Sequence, residues 1–352
     1  MRHANDFTGK ALRIGDDDRP ERRDSMSGLF DKRFLVTGAS GFVGACLARR
    51  LVRHGADVHV FTRPTSTTWR LKDILSRLKM HPVDLREREK VREAVHHIKP
   101  HVIFHCAAYG AYHFQQDTSV VTETNFLGTL NLVEALSGVE YDRLVNTGSS
   151  SEYGPKSRPM SEADLLEPTT PYGVAKAAAT LFCQAKARAE RLPIVTFRLF
   201  SVYGCYEEPT RLVPYIISSC LSGRNPELSS GHFTRDFVYV SDVVDAYMTA
   251  AAATLPPGEI INIGSGQQQS VQSVVDRAIA LTGASVRPQW GKEQPRVFDT
   301  TTWTADAAKA KSLLGWSAKT NLDEGLSRTI EWHRRRPDPG VSARPTPAGS
   351  RK

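Results

Sequence analysis

The chain has 352 residues, 40% of them hydrophobic and 24% charged, with a formal net charge of +8. Residues 333–352 hold six basic residues and one acidic residue, which is +5 of that +8, and the +3 left for the body makes no case for a nucleic-acid groove. No apolar run is long enough to cross a membrane, and five scattered cysteines without C-x-x-C spacing fit reduced thiols in a cytoplasmic protein, not a disulfide scaffold.

The opening stretch is polar, with a charged run at Asp16–Arg23. Residues 1–28 read as a disordered arm, or as sequence ahead of a natural start at Met26. Phe34-Leu35-Val36 then reads as a buried parallel strand, and Cys46-Leu47-Ala48 with Leu51-Val52 continues at helical spacing. Between them Gly38, Gly41 and Gly44 stand three residues apart. Gly38 permits a tight turn, Gly41 admits phosphate oxygens to the backbone, and Gly44 lets helix and strand pack closely. A helix starting there aims its amides at an anion, so the segment suits a dinucleotide pyrophosphate. The bland alternative is a glycine turn before a packing helix.

Val58-His59-Val60-Phe61 is the second strand. An acidic residue at its end binds adenosine ribose hydroxyls in NAD-specific folds, but Thr62-Arg63-Pro64-Thr65-Ser66 follows here. Arg63 can pair with a 2′-phosphate and Ser66 can donate to it, which favours NADP over NAD. The alternative is that Arg63 is a solvated loop cation. Val83-Asp84-Leu85 reads as the end of a third strand. Asp84 either accepts from the adenine amino group or caps a helix beginning near Arg86.

Leu144-Val145-Asn146-Thr147 is a further strand, ending in Gly148-Ser149-Ser150-Ser151-Glu152-Tyr153-Gly154. A hydroxyl at the carboxyl end of a strand stands where such sheets bind ligand, and can donate to an oxygen gaining charge. Tyr172 and Lys176 are four apart, on one face of a helix. A phenol with a pKa near ~10 is a poor base at neutral pH, and a neighbouring cation favours its phenolate. Such a pair can move the proton of a substrate hydroxyl while a nicotinamide moves the hydride. Ile194–Phe197 reads as a late strand. Val238–Val240 and a helix at 243–253 are expected to return to the first domain. Ile260–Ile263 is a strand, and helices follow at 271–281, 305–314 and 322–333. The eleven histidines show no metal-ligand spacing, and His105 faces either the cofactor rim or the core.

These motifs together resemble the extended short-chain dehydrogenase/reductases that act on nucleotide-diphosphate sugars. The resemblance runs from about Phe34 to Trp332. It rests on Thr37–Gly44, Phe104–Ala108, Asn125–Thr129, Ser149–Gly154, Pro171–Lys176, Arg198–Gly204, Arg235–Val240 and Leu314-Gly315-Trp316. It implies an α/β fold: a Rossmann-type doubly wound parallel sheet with a smaller carboxyl-terminal substrate domain. The expected division is residues 29–204 with 236–263 for the cofactor, 205–235 with 264–332 for the sugar, and a disordered basic tail at 333–352. By the same resemblance Ser149, Tyr172 and Lys176 are catalytic. Ser40, Phe42, Val43, Leu85, Ala107 and Asn125 join the glycines, Arg63, Ser66 and Asp84 around NAD or NADP. Ser150 and Ser151 line the sugar, Ser201 stands where the substrate contact to the sugar diphosphate is altered, and Arg211 and Arg235 clamp its phosphates. A homodimer through two helices of the cofactor domain is implied as well.

The departures divide the possible reactions. Sugar 4,6-dehydratases of this group carry Asp-Glu directly after the catalytic hydroxyl, where this chain has Ser150 and Ser151, so dehydration is disfavoured. Ser201 replaces the usual asparagine before the valine. What remains is a 4-epimerase, or a 4-keto-sugar reductase if Arg63 selects exchangeable NADP. The reading from outside enzymology is a regulatory protein that only binds the dinucleotide.

Overall fold

The structure is a computed structural model that describes residues 28–293 and 300–336. The expected N-terminal arm, except Gly28, lies outside the described residues, as does the tail beyond Arg336.

Short apolar runs and amphipathic helices alternate along the first two hundred residues. They form β1 (Arg33–Thr37), α1 (Phe42–Arg53), β2 (Asp57–Thr62), β3 (Lys79–Pro82), α2 (Arg88–Ile98), β4 (Val102–His105), α3 (Thr118–Thr122), α4 (Gly128–Ala135), β5 (Arg143–Ser149), α5 (Pro171–Glu190) and β6 (Ile194–Leu199). Then come β7 (Ser201–Tyr203), α6 (Leu212–Leu221), β8 (Thr234–Tyr239), α7 (Val240–Ala252), β9 (Glu259–Ile263) and β10 (Gln268–Ser270). The series closes with α8 (Val271–Thr282), α9 (Ala308–Leu314) and α10 (Leu322–Arg335).

Seven strands make one parallel sheet in the order β3-β2-β1-β4-β5-β6-β9. Side chains alternate across it, as strand geometry requires. Phe34, Val36, Phe104 and Phe197 meet α1 and α7 on one face through Leu47, Leu51 and Tyr247. Leu35, Ile103, Leu144 and Ile194 meet Val95, Leu132 and Cys183 of α2, α4 and α5 on the other. Both faces are covered, so the strands read as continuous apolar runs. Strand order reverses between β1 and β4, and the cleft opens there, at the carboxyl ends.

A second sheet, β10-β8-β7, pairs β8 antiparallel to β10 and parallel to β7. Tyr203 and Tyr239 on it pack with Val213, Ile217, Val274, Leu326 and Ile330 of α6, α8 and α10. Asp236 of β8 is buried, and its carboxylate accepts from the amides of Ser265 (2.7 Å), Gly266 (3.0 Å) and Ala305 (3.0 Å). Asp242 at the start of α7 accepts from the amides of Lys319 and Thr320, while its carbonyl accepts from the Trp316 indole at 2.8 Å.

Three expectations change. The third strand ends at Pro82, one residue before the expected Val83–Leu85 segment. Asp84 caps no helix: α2 begins at Arg88 behind Glu87, and the Asp84 carboxylate instead accepts from the Arg86 amide at 3.0 Å. Val238 and Tyr239 lie in the small sheet, whereas α7 packs on α1 and β9 extends the large sheet.

Candidate active site

One cleft of about 1030 Å³ runs along the carboxyl ends of β1, β2, β4 and β5 and under the small sheet. Gly38, Ser40, Gly41, Phe42, Val43 and Gly44 line its start. Gly38 has φ +68°, and a Cβ there would stand 2.5 Å from the Ala107 nitrogen, so the turn closes only on glycine. Gly41 precedes α1 with no side-chain cap, leaving the first-turn amides to face the cleft. This cradle fits a dinucleotide pyrophosphate.

Farther along the same wall lie Arg63, Ser66, Asp84 and Leu85, and Ala107 faces them from the end of β4. Arg63 is exposed. Against the upward pull of burial, Arg86, with a smaller part from Arg63, holds the Asp84 carboxyl below its ordinary value. Arg86 also pairs with Glu123 at 3.4 Å, so its charge is shared between two carboxylates and Arg63 is the cation left facing the cleft wall. Asn125 is not on the cleft. It is buried in a π-helical turn, Glu123–Leu127, where it exchanges two hydrogen bonds with the Tyr109 backbone, at 3.0 and 2.6 Å. It therefore shapes the loop Gly110–Gln116, which does line the cleft. His105 faces the core, bridging Thr37 (2.7 Å) and Thr129 (2.9 Å), and burial pushes its imidazole down to about 3.

At the far end, Thr170 caps α5 by accepting from the Gly173 amide at 3.0 Å, and Pro171 opens the helix. Tyr172 follows on the cleft. A Cβ on Gly173 would stand 2.5 Å from the Ser151 carbonyl, so only glycine lets α5 press on the turn after β5. That approach brings Ser149 and Tyr172 together at the far end of the cleft. Lys176 lies one helical turn on, behind Tyr172, 1% exposed and off the cleft lining. Burial raises the Tyr172 phenol to about 12, with the nearby Ser149 hydroxyl opposing it, and burial lowers the Lys176 ammonium.

The serine turn stands on an acid that sequence reasoning passed over. Glu152 accepts from the Ser149 amide at 2.8 Å, from Thr180 at 3.0 Å and from the Arg198 guanidinium at 2.7 Å, all buried. The Ser149 oxygen in turn accepts from the Ser151 amide at 3.1 Å. The signal was present as a Ser-x-x-Glu capping box. Ser150, Ser151, Ser201, Arg211 and Arg235 all reach the cleft. Ser150 is already engaged, accepting from the Trp303 indole at 3.1 Å, and the Arg235 guanidinium lies 5.5 Å from the centre of that ring. Trp303, Arg70, Glu207 and Glu208 also line the cleft, and no sequence motif marked them. Among the described residues no cluster of three or more metal-ligating side chains occurs.

Known proteins match this arrangement. The model of the NAD dependent epimerase/dehydratase family matches residues 34–264. The UDP-glucose 4-epimerase of Mycolicibacterium smegmatis is 30% identical over 317 residues, which cover 86% of this chain and 98% of that protein. The solved UDP-glucose 4-epimerase of Thermotoga maritima, with UDP-glucose, superposes with a TM-score of 0.80 at 26% identity, over 86% of this chain and 99% of its own. MoeE5, solved in complex with UDP-glucuronic acid and NAD, is 35% identical with a TM-score of 0.76, over 86% of this chain and 99% of its own.

Proposed function

Because the chain belongs to the NAD dependent epimerase/dehydratase family, we propose that it is a nucleotide-diphosphate-sugar 4-epimerase. The observation that carries this reading is the meeting of Ser149 and Tyr172 on the cleft that the glycine turn opens, with Lys176 one helical turn behind them. Gly38, Gly41 and Gly44 would hold the pyrophosphate of a nicotinamide dinucleotide on that cleft, and the group would supply reversible hydride chemistry at the sugar's C4. Tyr172 accepts the C4 hydroxyl proton and gives it back, and Ser149 donates to the same oxygen. A phenol that burial holds near 12 is an acid at neutral pH, so its use as a base needs added positive charge. Lys176 supplies a cation one turn away and can also hold the nicotinamide ribose. Arg235 and Arg211 face the diphosphate.

Elimination of water lacks the acids that would follow the catalytic hydroxyl. Ser150 and Ser151 are hydroxyls, and the nearby Glu152 is buried against Arg198. A second reading, an NADPH-dependent 4-keto-sugar reductase, is favoured by Arg63 and Ser66 at the end of β2. The NAD named with MoeE5 supports the epimerase. On Arg63 we propose that NADP(H) binds at least as well as NAD(H). Leu127, just ahead of α4, and Val174 and Leu181 of α5, exposed by 43%, 54% and 50%, support a homodimer through these helices.

The test is turnover of UDP-hexoses with both dinucleotides. Tyr172→Phe should abolish nearly all C4 inversion while leaving dinucleotide affinity within about threefold, since only the proton carrier is lost. A variant keeping a tenth of wild-type kcat would end this assignment, and a 4-keto-6-deoxy product at comparable rate would make the protein a dehydratase.

A further inference from the structure

Beyond the Ser149–Tyr172–Lys176 group, the cleft holds a buried carboxyl with no place in the reaction described. Glu207 follows Tyr206, which has φ +70°, a left-handed conformation that a bulky residue rarely adopts. The surroundings enforce it. The Tyr206 ring lies between the guanidinium groups of Arg49, at 4.2 Å, and Arg336, at 4.8 Å. Its carbonyl accepts from Arg70 at 2.7 Å. The reversed backbone turns Glu207 into the cleft, where it is 8% exposed.

One Glu207 oxygen lies 3.7 Å from Arg211. The other, also buried, has no hydrogen-bond partner among the described residues. Leaving a buried oxygen unmatched is costly unless something else fills the place. Burial outweighs the Arg211 charge and pushes the carboxyl up to about 8, so at neutral pH it can donate as well as accept. Glu208, paired with Arg70 at 3.2 Å, lines the cleft beside it. Arg211 and Glu207 line the same cleft as Tyr172 and Ser149.

We propose that Glu207 is a specificity residue for the sugar: its unmatched oxygen takes a hydroxyl of an uncharged hexose, and with Glu208 it turns away a hexuronate. The inference rests on the nucleotide-sugar reading above. A hydroxyl exchanges hydrogen bonds with a carboxyl in either protonation state. A sugar carboxylate there would give up its water with no cation left to replace it, since Arg70 is already paired with Glu208 and Arg211 is assigned to the diphosphate.

Calorimetry with UDP-glucose, UDP-glucuronic acid and UDP alone, on the holoenzyme, tests it, with steady-state kinetics alongside. Wild type should bind UDP-glucose at least tenfold more tightly than UDP-glucuronic acid. Glu207→Ala should lose about tenfold in affinity and KM for UDP-glucose while binding UDP unchanged, and Glu207→Gln should narrow the glucose-to-glucuronate ratio. Equal or tighter binding of the glucuronate by wild type overturns the inference without help from any variant. So does a ratio indifferent to residue 207. A fall in kcat with KM unmoved would make Glu207 a proton carrier and overturn the binding role. Failure of wild type to bind either sugar would remove the nucleotide-sugar reading, and this inference with it.

Discussion

Arg63 reduces the choice of cofactor to a single guanidinium at the rim of the cleft. It is exposed, so solvent screens it, and a charge-assisted bond to a 2′-phosphate is worth the lower end of the usual range, about 1.5 kcal/mol or roughly tenfold. Arg63→Ala should therefore weaken NADP(H) by about tenfold and leave NAD(H) within twofold, by calorimetry on both dinucleotides. Equal loss for the two would make the arginine a bystander and strengthen the epimerase with resident NAD. At this scale the sequence is informative where chemistry and chain distance coincide. Tyr172 and Lys176 are readable because four residues on a helix is a contact. Glu207 is not, because its burial depends on Arg49, Arg70 and Arg336, which come from three distant parts of the chain.

The turn after β5 shows what an element adds. Ser149 is held at its amide by Glu152, and Glu152 is held by Arg198 of β6 across the parallel pair. The capping box can be seen in the sequence. Its buried counter-ion cannot, since strand register is a product of tertiary packing. Glu152→Ala would leave Arg198 charged and uncompensated, at about 3–5 kcal/mol of stability. Glu152→Gln, which keeps an acceptor for the Ser149 amide, should cost less. Urea unfolding of both variants decides it, and a loss under about 1 kcal/mol for the alanine variant would show that the pair carries little. Asn125 illustrates the converse. Its motif points to the dinucleotide, yet the π-helical turn directs the amide at the Tyr109 backbone. Val238 and Tyr239 read as belonging to the first domain but lie in the small sheet, because β-branched composition does not say which sheet a strand joins.

For the molecule as a whole, the covered sheet leaves Leu127, just ahead of α4, and Val174 and Leu181 of α5 exposed. Val174 and Leu181 are seven apart, two turns along one helical face. Wild type should run as a dimer in size exclusion with light scattering, and Val174→Glu with Leu181→Glu should give a monomer. A monomeric wild type would refute the interface. The parallel sheet, its switch point and the position of the cleft follow from alternating patterns that the sequence displays plainly. The division of later segments between two sheets does not, because β9 enters the large sheet only after an excursion through β7, α6 and β8.

That excursion bears on how the chain acquires its structure. Six strands of the large sheet are complete by Leu199, but the partner of β6 begins at Glu259. A chain emerging from the ribosome therefore holds β6 as an open, apolar edge until some sixty further residues have appeared, and such edges invite pairing with other chains. Asn262 of β9 also accepts from the Tyr153 hydroxyl at 2.6 Å, so the serine turn gains its last support from the same late strand. Cutting the gene between residues 204 and 259 would not yield two self-sufficient halves: the first would carry Ser149, Tyr172 and Lys176 on an unfinished sheet, and the second would carry the strand that finishes it.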